Sequence, residues 1–197
     1  MNLGTYLDTA VARYTDLPYL QFYDQTLTYG EFGNQVNILA NSLKGMGFQK
    51  GDFIHVLVQN SPQTLMAYFA IIKIGAVAGP VNGWWKAPEV EYLLNDSKGR
   101  GLIIEDQYLP ILDEIKANCP DLEKIIEVSD NPRPEHIDFA GLLAEGDDTA
   151  VVCDGDAELR EWFQGEVDDP TDFELSNEAG ALATVEWVDG AFSGEFT

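Results

Sequence analysis

Apolar residues recur along the first two thirds of the chain in two alternating rhythms, and each rhythm predicts an element. Leu3, Leu7, Val11 and Tyr14 fall on one side of a 3.6-residue period, so an amphipathic helix is expected there. YLQFYD and QTLTY read as two short strands meeting near Asp24-Gln25 in a hairpin. Thr28 stands three residues before Glu31, the spacing of a capping box, in which each side chain satisfies the other's backbone amide. The helix that follows carries Phe32, Val36, Leu39 and Leu43 as its inner stripe and should stop at Gly45 or Gly47.

Beyond this point short β-branched runs alternate with helical ones. FIHVLVQ reads as a buried strand, and Asn60 and Ser61 offer caps for a helix with Pro62 in its first turn. That helix, PQTLMAYFAIIKI, is apolar nearly all round, so it should be packed on most sides. Gly75 ends it, AVAGPVN returns as a strand, and Pro88 and Glu89 open a helix through Val90, Leu93 and Leu94. GLIIE, a helix from Tyr108 to Ala117, and KIIEV complete the series. Strands separated by helices need crossover connections, so the fold class is α/β: a mainly parallel sheet flanked by helices on both faces.

The texture changes at SDNPRPEH, a proline-rich loop, and IDFAGLLAEG promises one or two helical turns. Two regions are therefore expected: an α/β domain over 1–148 and an acidic tail over 149–197. Residues 151–197 hold 13 acidic side chains and one basic one, Arg160. Only the end of the tail alternates. ALATVEWV and AFSGEFT flank Asp189-Gly190, a two-residue turn signal, which predicts a small C-terminal β-hairpin at about 181–197. Pairing across that turn puts Val185, Trp187, Phe192 and Phe196 on one face.

Charge narrows the function. With 34 acidic against 11 basic side chains and a net charge of −23, the chain repels nucleic acid and anionic lipid. Solubility, or a salt-rich cytoplasm, accounts for the acidity. Cys119 and Cys153 lack the spacing of a zinc site or disulfide framework. The start, MNLGTYLDTAVARY, has no secretory pattern, and Lys73, Gly75 and Pro80 break the most apolar run short of the roughly 20 residues of a membrane span. A cytoplasmic protein is expected.

From Leu27 to Asp96 the motifs accumulate in order: LTYGEFGNQVNILANSLKGMGFQKGD, VLVQNSPQTLMAYFAIIKIGAVAGPVN and PEVEYLLNDS. Together they resemble the N-terminal subdomain of AMP-forming acid ligases, the acyl-CoA synthetases, luciferases and peptide-synthetase adenylation domains. NGWWKAPEVEYLLNDSKGR is most similar to the fatty acyl-CoA branch, and the likeness covers about residues 1–148. The resemblance implies activation of a fatty acid or other carboxylate by Mg-ATP to an acyl-adenylate, then displacement of AMP by CoA. It also implies a Ser/Thr/Gly-rich phosphate loop ending in lysine, an aromatic-Gly-x-Thr-Glu motif, a ribose-binding aspartate and a C-terminal lysine. No run in this chain matches any of them, so no residue is assigned a catalytic, cofactor-binding or metal-ligating role. The last lysine is Lys124, and only Arg133 and Arg160 carry positive charge after it. ATP, Mg and CoA are thus expected to serve the complete family member and not this chain alone.

Individual residues read modestly. Lys50-Gly51-Asp52 suits a turn before a buried strand better than a catalytic site. His55 reads as a core or strand-end histidine and not a general base, and His136 has no evident partner. Trp84-Trp85 follows a strand's carboxyl end, where α/β folds bind ligands, though packing or an interface is the better reading. Gly75, Gly79 and Gly83 are not a phosphate loop, because Pro80 interrupts them and no lysine follows in pattern. Asp147-Asp148 and Asp168-Asp169 suit a solvated face better than a divalent ion.

Two functions remain open: the N-terminal portion of a fatty acid–CoA ligase, inactive alone, or a non-catalytic assembly module with an acidic partner-binding tail. An incomplete sheet would leave an apolar flank open, which favours self-association. The ligase reading predicts that the encoding DNA, read downstream in all three frames, yields a Ser/Thr/Gly-rich loop followed by proline and lysine. A downstream stretch without such a loop in any frame removes the truncation account.

Overall fold

The computed structural model describes residues 3–146 in full, and residues 172–176, 182–188 and 191–196 as backbone strands. The chain divides into two compact units, residues 1–153 and 154–197.

The first unit begins with α1 (Leu3–Tyr14) and a hairpin of β1 (Pro18–Phe22) and β2 (Gln25–Thr28), paired antiparallel. α2 (Tyr29–Gly45) starts directly from the strand, with Thr28 as its cap. The capping box forms as the spacing requires: Glu31 N donates to Thr28 Oγ1 at 3.1 Å and Thr28 N to Glu31 Oε2 at 2.8 Å. Phe32, Val36, Leu39 and Leu43 are all fully buried, each contributing roughly 1.5–3 kcal/mol. Gly47, at φ 91°, takes the left-handed turn that follows α2.

A five-stranded parallel sheet organises the rest: β3 (Phe53–Leu57), β4 (Val77–Pro80), β5 (Gly101–Glu105), β6 (Lys124–Val128) and β7 (Ile137–Asp138), in the order β4-β3-β5-β6-β7. The connections are α3 (Pro62–Lys73), α4 (Ala87–Asp96) and α5 (Leu109–Ile115), the last flanked by short 3-10 turns, and α6 (Phe139–Glu145) follows β7. Ser61 caps α3, its hydroxyl accepting from Thr64 N, and Pro62 occupies the first turn. β7 was not foreseen. Two residues give no readable alternation, and this strand exists because it pairs with Ile126 and Glu127 of β6.

Alternation along the strands divides the core. Ile54 and Val56, Ile103 and Ile126 face one side and pack with α2, α3 and α6. Leu57, Leu102, Ile104 and Ile125 face the other and pack with α5. The sheet is covered on both faces, as a parallel sheet requires.

Lys73, in the most apolar helix, is completely buried. Its Nζ donates to Asn37 Oδ1 at 2.6 Å and pairs with Asp8, so one ammonium ties α1, α2 and α3 together. A buried charge is tolerated only when paired. Among the described residues no helix is long and apolar enough to cross a membrane.

In the second unit, β8 (Asp172–Ser176), β9 (Leu182–Val188) and β10 (Ala191–Phe196) form an antiparallel sheet ordered β10-β9-β8. The hairpin has the expected register: Trp187 opposes Phe192, Val185 opposes Gly194 and Ala183 opposes Phe196. β8 is an addition that the acidic stretch around DFELS concealed. The turn residues Asp189 and Gly190 lie outside the described residues.

The Lys73 cluster yields a stability prediction. Asp8→Ala, which leaves the ammonium buried without its counter-charge, should lower the unfolding free energy by about 3 kcal/mol, the low end for a buried pair because Asp8 is itself half-exposed. Lys73→Met, which removes the charge and keeps an apolar stem, should cost about half as much. Urea titration of the two variants checks the order, and equal losses would refute it.

Candidate functional site

The sheet reverses direction of growth between β3 and β5: the chain steps from β3 outward to β4 and returns to the opposite side of β3. Such a switch point leaves a crevice at the strands' carboxyl ends, where open α/β sheets bind ligands. Here the crevice is a cleft of about 320 Å³ between the start of α3, the ends of β5 and β6, and the start of α6.

Its chemistry is acidic. Glu105, Asp106 and Asp130 line it beside Ser61, Gln63 and Ser129, and among the described residues no lysine, arginine or histidine does. Gln59 N donates to Glu105 Oε2 at 2.8 Å, fixing that carboxylate across the switch point. The N-terminus of α3 carries the equivalent of about half a positive charge. Three carboxylates outweigh it, and each close phosphate–carboxylate pair adds a repulsion of about 1–4 kcal/mol. These residues do not fit a nucleotide triphosphate.

The residues singled out in the sequence fall in separate places. Lys50-Gly51-Asp52 is a turn: Asp52 N bonds to Gln49 O, Gly51 N to Gly75 O at 3.0 Å, and Gly51 has φ 89°. Asp52 Oδ2 also accepts from Arg100 at 2.5 Å, and Arg100 reaches Glu123 at 2.7 Å, holding the Glu123 carboxyl below its ordinary range. Trp84 is 89% exposed just after β4, and Trp85 36%. Gly75 ends α3 at φ 76°, while Gly83 approaches the Tyr108 hydroxyl. Cys119 is buried, and burial raises its thiol pKa, so it stays protonated. Cys153, Asp147-Asp148 and Asp168-Asp169 lie outside the described residues.

His55 is a core residue. Its ring sits between two backbones: a Cβ on Gly79 would lie 2.2 Å from Nδ1 and one on Gly99 2.7 Å from Cδ2. Nε2 lies 2.7 Å from Ser97 Oγ, and that hydroxyl donates to Leu93 O at 2.7 Å, so it accepts from an Nε2–H. Nδ1 is buried without a partner. Burial lowers the His55 pKa, because the charged ring loses its water and a backbone interaction with Gly79 offsets only part of that loss.

His136 corrects the expectation that it stands alone. Its Nδ1 lies 2.7 Å from Glu127 Oε2 with both side chains buried, and the same carboxylate oxygen accepts from Arg133 N at 3.2 Å. Arg133 in turn forms a two-pronged bond to Asp113 at 2.6 and 2.9 Å, which holds that carboxyl below its ordinary range. The proline-rich loop is thereby pinned to β6 and α5. No spacing signal could reveal this pair, because it depends on the loop folding back over nine residues.

Comparison with known proteins settles the class. The profile of the AMP-binding enzyme family matches residues 7–172, and the chain belongs to that family. It is similar to the long-chain-fatty-acid–CoA ligase FadD13 of Mycobacterium tuberculosis, 32% identical over 160 residues, covering 75% of this chain and 30% of FadD13. It is also similar to the 4-hydroxybenzoate–CoA/benzoate–CoA ligase of Rhodopseudomonas palustris, 28% identical over 144 residues, covering 72% of this chain and 26% of that enzyme. Among solved structures, the anthranilate CoA ligase AuaEII in complex with anthranoyl-AMP superposes with a TM-score of 0.73 at 25% identity, over 96% of this chain and 35% of that one. The inhibitor-bound N-terminal domain of FACL13 from M. tuberculosis gives 0.68 at 25% identity, over 94% and 44%. The chain thus matches the N-terminal part of AMP-forming acyl-CoA ligases and spans about a third or less of the curated relatives' length. The likeness also runs beyond residue 148. The family profile itself continues to residue 172.

His55 yields a pH prediction. Its folded pKa lies below the unfolded value of about 6.5, so stability is complete above that pH and falls as the unfolded chain takes up a proton. Between pH 7.5 and 5.5 this group should lower stability progressively, by at most about 1.4 kcal/mol over the whole window. His55→Phe should flatten the urea-midpoint profile over that window, and an unchanged slope would contradict a neutral buried ring.

Proposed function

We propose that this chain supplies the amino-terminal scaffold of an AMP-forming ligase that joins a fatty acid or related carboxylate to CoA, in the cytoplasm. The scaffold is catalytically silent by itself. The observation that carries this reading is a disjunction: the family match extends to residue 172, yet no lysine follows Lys124. Attack at the α-phosphate of Mg-ATP needs fixed cations and amide donors around the triphosphate. The cleft at the switch point offers carboxylates instead. ATP, Mg and CoA are accordingly partners of a completed enzyme, whose remaining two thirds hold the phosphate-binding groups.

Pyrophosphate exchange tests the reading. The purified 197-residue chain with ATP, Mg and a fatty acid should exchange no label above a protein-free blank. It should also bind Mg-ATP more weakly than about 1 mM, the upper end of ordinary enzyme–substrate affinities. Tight, magnesium-dependent ATP binding by the chain alone would overturn the proposal.

A further inference from the structure

The loop between β6 and β7, residues 129–136, contributes one lip of the acidic cleft. Val128, Ser129 and Asp130 line the cleft where the chain leaves β6, and Phe139 and Ala140 line it just after β7. Val58, Ser61 and Gln63 form the other lip, with Glu105 and Asp106 at the end of β5. The two ends of a single loop therefore set the width of the cleft.

Electrostatics work to part these lips. Asp130 of the loop lines the same cleft as Glu105 and Asp106, and like charges that share a cleft repel. Ser129 Oγ reaches Asp106 Oδ2 across it, but at 3.4 Å that bond is weak.

Two tethers hold the loop against this repulsion, and they differ in burial. Arg133 bonds Asp113 at side chains 33% and 54% exposed, and an exposed ion pair contributes little. His136 and Glu127 meet at 2.7 Å with side chains only 2% and 1% exposed. Glu127 also accepts from Arg133 N at 3.2 Å, and His136 N donates to Arg133 O at 2.9 Å, so the loop closes on one buried carboxylate. A buried carboxylate that loses its partner is strongly destabilising, and opening the loop would return it to water.

We propose that the buried His136–Glu127 pair is a clasp that keeps residues 129–136 closed as a strap along the cleft. Breaking it lets Asp130 draw away from Glu105 and Asp106, and the cleft widens. His136 is thus a positioning residue for a lip that it does not itself line.

Residue-resolved amide exchange tests the clasp on the full chain. Asn131 N is bonded to Ser129 Oγ and Arg133 N to Glu127 Oε2, so both amides report on closure. His136→Ala should speed their exchange at least about tenfold and leave the amides of β3, residues 53–57, unchanged, as a local opening does. Adding Glu127→Gln, so that no charge is left buried, should bring the strap back to within about threefold of the parent chain. Adding Asp130→Asn to His136→Ala instead should slow the strap by about threefold or more, because the push from Glu105 and Asp106 is gone. A merely structural contact predicts neither rescue. Unchanged exchange in His136→Ala, acceleration that spreads to β3 (outright unfolding included), no rescue by Glu127→Gln, or no slowing by Asp130→Asn would each overturn the clasp.

Discussion

A parallel strand can be reached only by leaving the sheet and returning over one of its faces, and this constraint governs the first unit. Four parallel pairings among β3 to β7 oblige the intervening chain to lie on the sheet. That covering is why Ile54, Ile103 and Ile104 have no exposed surface and why the strands read as continuous apolar runs. Charged residues then gather at the rim, and Lys73 and Glu127 are buried only because each is paired. Arg100 binds loop to loop through Asp52 and Glu123, and Arg133 binds a loop to α5 through Asp113.

Much of this was legible because it rests on neighbours in sequence. The stripe Phe32–Val36–Leu39–Leu43, the Thr28–Glu31 box and the Ser61-Pro62 start each depend on residues within a few positions. Strand order was not legible, since nothing in the run FIHVL states that its partners are GLIIE and VAGP. Lys73 showed only that an apolar run was interrupted; its partners Asp8 and Asn37 lie 65 and 36 positions away. β7 and β8 escaped for opposite reasons, one being too short to alternate and the other set in an acidic stretch. The candidate site was legible as composition and not as geometry. The excess of carboxylates is plain in the sequence, but only the fold puts Glu105, Asp106 and Asp130 around one cleft.

Membership in the ligase family and the proposed silence of this chain are compatible because fold and chemistry live on different links of the chain of causes. Backbone topology follows from apolar periodicity, which this chain keeps through residue 146 and shares with much longer relatives. Adenylation follows from the field inside a site, and fields are set by a few charged side chains. A fold can therefore be retained where the field has the wrong sign.

Thr28 holds two offices at once, last residue of β2 and cap of α2. No linker separates hairpin from helix, so the helix inherits its rotational phase from the strand. One residue added after Thr28 would either strip the cap or turn the Phe32 stripe by about 100° away from the core. Length variation in this lineage should accumulate elsewhere, and this junction should serve as a fixed point for dating insertions among relatives.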